Sequence, residues 1–535
     1  MEATDPPTLS SPLSSPLGKD VCPVKAEFLR AAPERVSLDA EGRTRGMNKG
    51  AAREHSAFVA GTQRPTMAGE ENFFNGPALR AIKAAVRCAK QGDRVEPEKQ
   101  GNAVEPKKEV GCVKPEGASS SDPLPPPSLA AIPRKRPRDG GDAAGAGLDP
   151  PHGPPQSEEA AREAAAGRRS KARDLFRDKL VLAPLTTVGN LPFRRVCKGL
   201  GADVTVSEMA VVHNLNRLQQ SEWSLLRRHA SEDLFGIQLA VARASEAAIF
   251  AQALEASGFT YDFLDVNCGC PVDRIIKFGC GCGLWERQGR MREVVMALAQ
   301  HQSRPVSIKC RIGPDEDAPS LHPQIHKYAE WGASAVAIHG RSRKQRYTKL
   351  ANWDYVEYCA TLTDLPVIGN GDIFSLEDVQ QHRAARPHIT SFMIGRGALI
   401  KPWIFEEIKS GQLKDISASE RLDLLKEFCR FGLEHWGADE RGVLTTRRFL
   451  CEWLSFLHRY VPVGLLERLP QRIHDRPPYY VGRNDLETLM GSDSVVDWIR
   501  ISEMLLGPAG DKFRFTPKHK SNSYERAGVA EVVEG

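Results

Sequence analysis

Between residues 180 and 408 the chain repeats one unit eight times: a short apolar, β-branched run, then an amphipathic stretch. The runs are 180–186 "LVLAPLT", 203–207 "DVTVS", 234–239 "LFGIQL", 263–267 "FLDVN", 306–311 "VSIKCR", 335–339 "AVAIH", 366–370 "PVIGN" and 391–395 "SFMIG". Between them lie segments such as "LPFRRVCKGLG", "ASEAAIFAQALEASG" and "SLEDVQQHRAA". Buried strands that are each followed by a helix imply a parallel sheet, covered on both faces. Eight units in so short a span fit a closed (β/α)8 barrel, the TIM-barrel form of the α/β class, better than an open sheet.

In such a barrel, chemistry sits where the strands end, at the C-terminal rim. Polar residues gather there: "APLTT" after the first strand, Gln238 on the third, Asn267 and Cys270 after the fourth, Lys309 and Arg311 on the fifth, and His339 ending the sixth. The seventh and eighth strands end in "NGD" (370–372) and "GRG" (395–397). Glycines on those last two loops let backbone N–H groups approach a phosphate. Gly371, Gly395, Gly397 and Arg396 suit that role, and with Gln238, Lys309 and His339 pointing inward they describe a flavin mononucleotide (FMN) site.

The stretch "VNCGCPVDRIIKFGCGCGLWERQ" (266–288) places Cys268, Cys270, Cys280 and Cys282 within fifteen positions. Four thiolates are a ligand set for zinc or an iron–sulfur cluster. A glycine-rich loop in which one thiol works is the alternative, with Cys268, Cys280 and Cys282 as small semi-buried residues. We expect no metal here. Outside the barrel, 21 of the 37 prolines precede residue 156, so residues 1–170 read as a disordered Pro/Gly/Ser-rich tail. Two exceptions are a short helix near 77–90 and a helical lead-in, "SEEAAREAAAGRRSKARDLFRDK". The net charge of +5 is mild; the start carries no apolar leader, and no eighteen apolar residues run together, so a soluble protein of cytoplasm or nucleus is expected. "PRKRPR" (133–138) reads as a nuclear import signal or a solvated charge run.

The ordered strings "APLTTVGNLPFRR", "FGIQL", "DVNCGCPVD", "IKCRIG", "HGRSRKQRY", "NGDIF" and "IGRGALIKPWIF" resemble the tRNA-dihydrouridine synthases, in their eukaryotic type 3 branch. The likeness runs from about 175 to 524 and takes in "RYVPVGLLERLPQRI" and "DWIRISEMLLGP". It implies FMN as redox cofactor, NADPH or NADH as reductant, and the variable-loop uridine at tRNA position 47 as target. It also implies flavin contacts from Pro184, Leu185, Thr186, Gln238, Lys309, His339, Asn370, Gly371, Asp372, Gly395 and Arg396, with Cys270 catalytic. Asn267, Arg311 and Arg341 are placed toward the substrate.

The chemistry asks for such a cysteine independently. Hydride addition at C6 of uracil leaves an enolate that needs a proton at C5, and a thiol with its ordinary pKa of roughly 8.5 is protonated at neutral pH. Metal ligation at Cys270 would remove that proton, so the two readings exclude each other there. The branch pattern G-G-G-C-A-L-M stands here as "GCGCGLW", altered at Cys280, Gly283 and Trp285. The CCCH zinc fingers that the resemblance implies cannot be assembled from Cys88, Cys112, His55 and His152. RNA contact is therefore expected from a helical domain (415–507) and a basic tail (508–535), where "RLPQRIHDRPPYYVGR" and "DKFRFTPKHKSNSYER" interleave cations with aromatics. tRNA is the expected partner, other RNA stays open, and no membrane or protein partner is indicated. The rivals are a flavin dehydrogenase of a small pyrimidine, and an impaired RNA-binding protein with a cysteine metal site.

Overall fold

The computed structural model describes residues 21–31, 69–92, 157–345, 347, 349–511 and 513–518. Eight parallel strands form a closed barrel: β1 (Leu180–Leu182), β2 (Val204–Val206), β3 (Leu234–Ala240), β4 (Phe263–Cys268), β5 (Val306–Arg311), β6 (Ala335–His339), β7 (Val367–Asn370) and β8 (Ile389–Ile394). Each pairs with its neighbours in sequence, and β8 closes on β1 through Phe392 opposite Leu180. All eight expected strands are present, with ends differing by a few residues at most.

Period-two alternation divides the apolar side chains between two cores. Val181, Val204, Val206, Ala335, Ala337, Ile368 and Met393 fill the barrel, while Leu180, Leu182, Ile308 and Ile338 face the surrounding helices. Phe263 is the bulkiest interior residue, and a Cβ on Gly236 would come within 2.2 Å of its ring, so β3 carries glycine at that level. The lead-in helix α2 (Glu158–Phe176) ends with Phe176 edge-on to Phe263 at 5.1 Å, plugging the N-terminal mouth.

The tail is more structured than its composition suggested. Residues Glu70–Glu71 add a short antiparallel pairing to Arg228–His229, Asn72 bonds both Leu226 O and Thr260 O, and Phe74 stacks on Trp223 at 5.3 Å. Helix α1 (Gly76–Gly92) follows and buries Ile82 and Val86 in the main core. Residues Cys22 and Val24 join Val461, Leu465 and Tyr480 in a satellite core. The helix expected near 77–90 and the helical lead-in are both present, and the expectation of disorder is corrected at two further docked segments, 21–31 and 69–75. Each buries a few apolar side chains against a preformed surface, a gain that regional composition averages away. "PRKRPR", Cys112, His55 and His152 lie outside the described residues; Cys88 is exposed on α1.

The C-terminal part is helical as expected, with α3 (Ala418–Trp436), α4 (Glu440–Leu457) and α5 (Val495–Leu506). Ser417 and Glu420 form a capping box at the start of α3. The unit docks on the barrel through Trp453, edge-on to Phe193 at 5.3 Å and donating to Leu399 O, and through Arg195, paired with Glu434 at 2.7 Å over the ring of Phe431. Of the aromatics expected to stack on bases, Tyr479 is half-buried and Tyr524 lies outside the described residues, while Tyr480 and Phe513 are buried and Phe515 sits against Trp498. The packed rings fill gaps left by the irregular segments around them. No helix among the described residues is long and apolar enough to cross a membrane.

Candidate active site

At the C-terminal rim, neighbouring strands aim side chains of like register at one point. Asp265 and Asn267 of β4 face inward beside Ser307, Lys309 and Arg311 of β5, each strand contributing every second residue. Asn267 is the hinge of this layer. Its Nδ2 donates to Gln238 Oε1 at 3.0 Å, and its Oδ1 accepts the backbone N–H groups of Gly269 and Cys270 at 3.2 and 3.0 Å. Gln238 Nε2 in turn donates to Asp265 at 2.8 Å, and Ser307 Oγ donates to the same carboxylate at 2.7 Å.

Lys309 lies across the barrel mouth with Nζ 3.4 Å from Asn370 Oδ1. Burial, and then the Arg311 guanidinium, lower its pKa, with Asp265 opposing them. Burial likewise raises the pKa of Asp265 against its hydrogen bonds and the nearby lysine. His339 is neutral: burial first, then Arg311, Lys309, Arg341 and Arg396, push it well below the usual range. Its Nε2 therefore accepts from Arg341 Nη1 at 3.3 Å.

Cys270 is the one partly exposed thiol of its loop; Cys268, Cys280 and Cys282 are buried. Burial raises the Cys270 pKa, opposed by a backbone N–H at Val272 and by Arg311 and Lys309, so the thiol is protonated at neutral pH. Burial lifts Cys282 to about 11 and Cys280 to about 12. Among the described residues no three His, Cys, Asp or Glu side chains converge in metal-ligand positions. Cys280 packs with Ala240 and Ala242, and Trp285 donates to Tyr328 OH at 3.2 Å. A Cβ on Gly283 would lie 2.9 Å from Ile276 O. The three departures from the branch pattern thus fill the space behind the loop and do not face the site.

The two arginines expected toward the substrate also bond within the protein. Arg311 donates through Nε to Gly269 O at 2.9 Å and through Nη1 to Ser342 O at 2.7 Å, which pins the cysteine loop to the one after β6. Arg341 is fully buried. It donates twice to Lys349 O, twice to Asp372 and once to His339, and so clamps the rim. Both guanidiniums bond loop carbonyls, and Arg341 a carboxylate as well, partners that local sequence does not reveal. Of the remaining expected residues, Pro184 and Leu185 are half-buried and Thr186 is exposed. Gly371, at φ +138, and Gly395 flank the Asp372–Arg396 pair, whose N–O distance is 2.8 Å.

Sequence reasoning missed Asp265, and two residues of the C-terminal unit. The alternation Phe263, Asp265, Asn267 carried the signal for the first. His474 Nε2 comes within 3.4 Å of Asp372 Oδ1, yet has no hydrogen-bond partner. Arg459 is held down to about 10 by burial and by Arg396 and Arg476. Arg341, Arg396 and His474 gather around Asp372, with Arg459 near Arg396, a donor-rich cluster that suits a phosphate. Lys309 likewise has one bonded partner for three donors. The residues present therefore fit an anionic cofactor lying from the loops after β7 and β8 to the barrel centre.

Fold and rim define a (β/α)8 barrel with one accessible, protonated cysteine facing a partly buried lysine. Residues 181–441 match the family described as "Dihydrouridine synthase (Dus)". The chain is 54% identical over 356 residues to the tRNA-dihydrouridine(47) synthase (NAD(P)(+))-like protein of Homo sapiens, covering 66% of this chain and 54% of that one. It is 53% identical over 354 residues to the same-named protein of Arabidopsis thaliana, covering 66% and 51%. The chain thus spans about half the length of the curated relatives it matches. A morphinone reductase structure aligns with 45% of this chain and 89% of that one at 14% identity, with a TM-score of 0.32, too slight a likeness to carry an argument.

Proposed function

We propose that this protein reduces the C5–C6 bond of a uridine in tRNA to 5,6-dihydrouridine, at variable-loop position 47, with FMN as cofactor and NADPH or NADH as reductant. One observation carries the reading: Cys270, protonated and partly exposed, stands on a loop tied by Asn267 and Arg311 to the strands that carry Gln238 and Lys309. The names of the relatives support it.

A bound FMN supplies hydride to C6 of the uracil ring. The protein does the rest. Arg396, Arg459 and His474 are suited to hold the cofactor phosphate, and Lys309 a developing negative charge near the barrel centre. The Cys270 thiol delivers its proton to C5, which balances the hydride and completes the saturated bond. Arg311 and Asn267 fix the height of the thiol without touching the ring.

The test is purified protein incubated with unmodified tRNA transcript and NADPH, followed by nucleoside mass spectrometry and flavin release on denaturation. Dihydrouridine at position 47 with released FMN is expected. Protein that holds no flavin and leaves uridine unchanged overturns the reading.

A further inference from the structure

The short helix Asp273–Lys277, which begins three residues after Cys270, packs Ile275 inward against Ala240 and Ala242 and turns its charged side chains outward. Arg274 and Lys277 are exposed, and the residues flanking the helix, Val272 and Phe278, are 53% and 61% exposed although both are large and apolar. A Cβ built on Gly279 would lie 3.5 Å from Arg287 Nη1 and 3.9 Å from Arg290 Nη1, so two further exposed guanidiniums overlie the end of this turn. Among the described residues these four cations make no ion pair or side-chain hydrogen bond. The carboxylates nearby do not neutralise them: Asp273 lies on the same helix without pairing to any of them, Glu286 is held by Arg343, and Glu246 is shared by His213 and Arg243.

Two physical tensions meet here. Exposed rings of this size are kept out of water where packing permits, and unpaired like charges repel. A single-stranded polyanion relieves both, its phosphates pairing with the cations and an unstacked base lying on the ring. The surface is continuous with the reactive loop, since Cys282 N donates to Cys270 O at 3.1 Å and a Cβ on Gly281 would come within 2.6 Å of that same oxygen. Of the rings in the basic segments farther along the chain, Tyr480 and Phe513 are buried and offer no such platform.

The geometry points to this patch as the surface that seats the RNA strand beside the target uridine, with Phe278 stacking on a neighbouring base and Arg274, Lys277, Arg287 and Arg290 pairing with phosphates. This rests on the reading of the chain as a tRNA-reducing enzyme. It adds the place of entry.

The test compares the full chain with the Arg274→Ala/Lys277→Ala, Phe278→Ala, Phe278→Tyr and Phe278→Leu variants. Binding of unmodified tRNA transcript is measured between 50 and 200 mM salt, by the order of range in which phosphate contacts tell. Lys83→Ala/Arg87→Ala on α1 is the charge-matched control, and the melting temperature reports folding of each variant. Loss of two phosphate contacts should reduce the slope of log affinity against log salt by about 1.4 relative to wild type, with no such change in the control. Phe278→Ala should weaken binding about 5- to 150-fold, Phe278→Tyr should restore it, and Phe278→Leu should not. Wild-type binding with unchanged slope in the double variant, or full rescue by leucine, overturns the patch and leaves the proposed reaction standing. A wild-type protein that holds no flavin and binds no tRNA overturns the reaction itself, and the patch with it.

Discussion

The side-chain oxygen of Asn267 accepts the backbone N–H of Cys270 at 3.0 Å while its amide nitrogen donates to Gln238 Oε1 at 3.0 Å. One buried amide thus fixes the reactive loop to the barrel layer beneath it.

Neither obvious replacement reproduces that arrangement. Asn267→Ala leaves the N–H groups of Gly269 and Cys270 without their acceptor, and Asn267→Asp sets a carboxylate oxygen against Gln238 Oε1. Relief would require Gln238 to turn its amide and give up Asp265. Each variant should lose about 1–3 kcal/mol of stability and roughly 10²-fold in uridine reduction through misplacement of the thiol. Thermal melts and single-turnover assays check this. An Asn267→Asp protein with wild-type rates would show that the loop needs no such anchor.

Two glycines of the same loop should separate stability from activity. Gly283→Ala pushes a methyl to 2.9 Å from Ile276 O, behind the loop, and should be destabilising by about 1–3 kcal/mol. Gly281 sits at φ +60, and its added Cβ would meet Cys270 O at 2.6 Å and Cys270 Cβ at 3.1 Å. Gly281→Ala should therefore displace the reactive cysteine and lower turnover more than melting temperature. Equal ratios of the two losses in both variants would contradict the assignment.

A pH signature comes from the C-terminal helical unit. Glu452 on α4 is buried and accepts the Lys518 backbone N–H through both oxygens, at 3.1 and 3.2 Å; burial raises its pKa to about 7. The folded state then binds a proton that the unfolded state has released above roughly pH 4.3. Stability from this group is full in acid and is lost as pH rises through about 7. Glu452→Gln cannot ionise, so its melting temperature relative to wild type should be higher at pH 8 than at pH 5.5. Parallel shifts at both pH values would remove Glu452 from the account.

The barrel was legible because each strand is a compact β-branched run and each crossover an amphipathic one, signals that survive without neighbours. The rim was legible in part. Gln238, Lys309, His339 and Cys270 fall at strand ends, where topology alone places them. Arg341 was not, because its partners Lys349 and Asp372 arrive from different loops. Asp265 could have been found by counting inward positions along β4. The docking of Phe74, Ile82 and Val24 was hidden, since each lies in a tail whose composition speaks for disorder and whose burial depends on surfaces far along the chain.

The most direct measurement is uridine reduction by Cys270→Ala beside Cys268→Ser, Cys280→Ser and Cys282→Ser, with flavin content, flavin reduction by NADPH and bound metal read on the same samples. The account predicts that Cys270→Ala retains flavin and its reduction but loses uridine reduction by about 10²- to 10⁴-fold, as a missing general acid should. The other three should keep most activity, because their buried thiols pack and do not react. Four equal losses accompanied by stoichiometric zinc or iron in the wild-type protein would contradict it, since a structural metal site fails with any of its ligands.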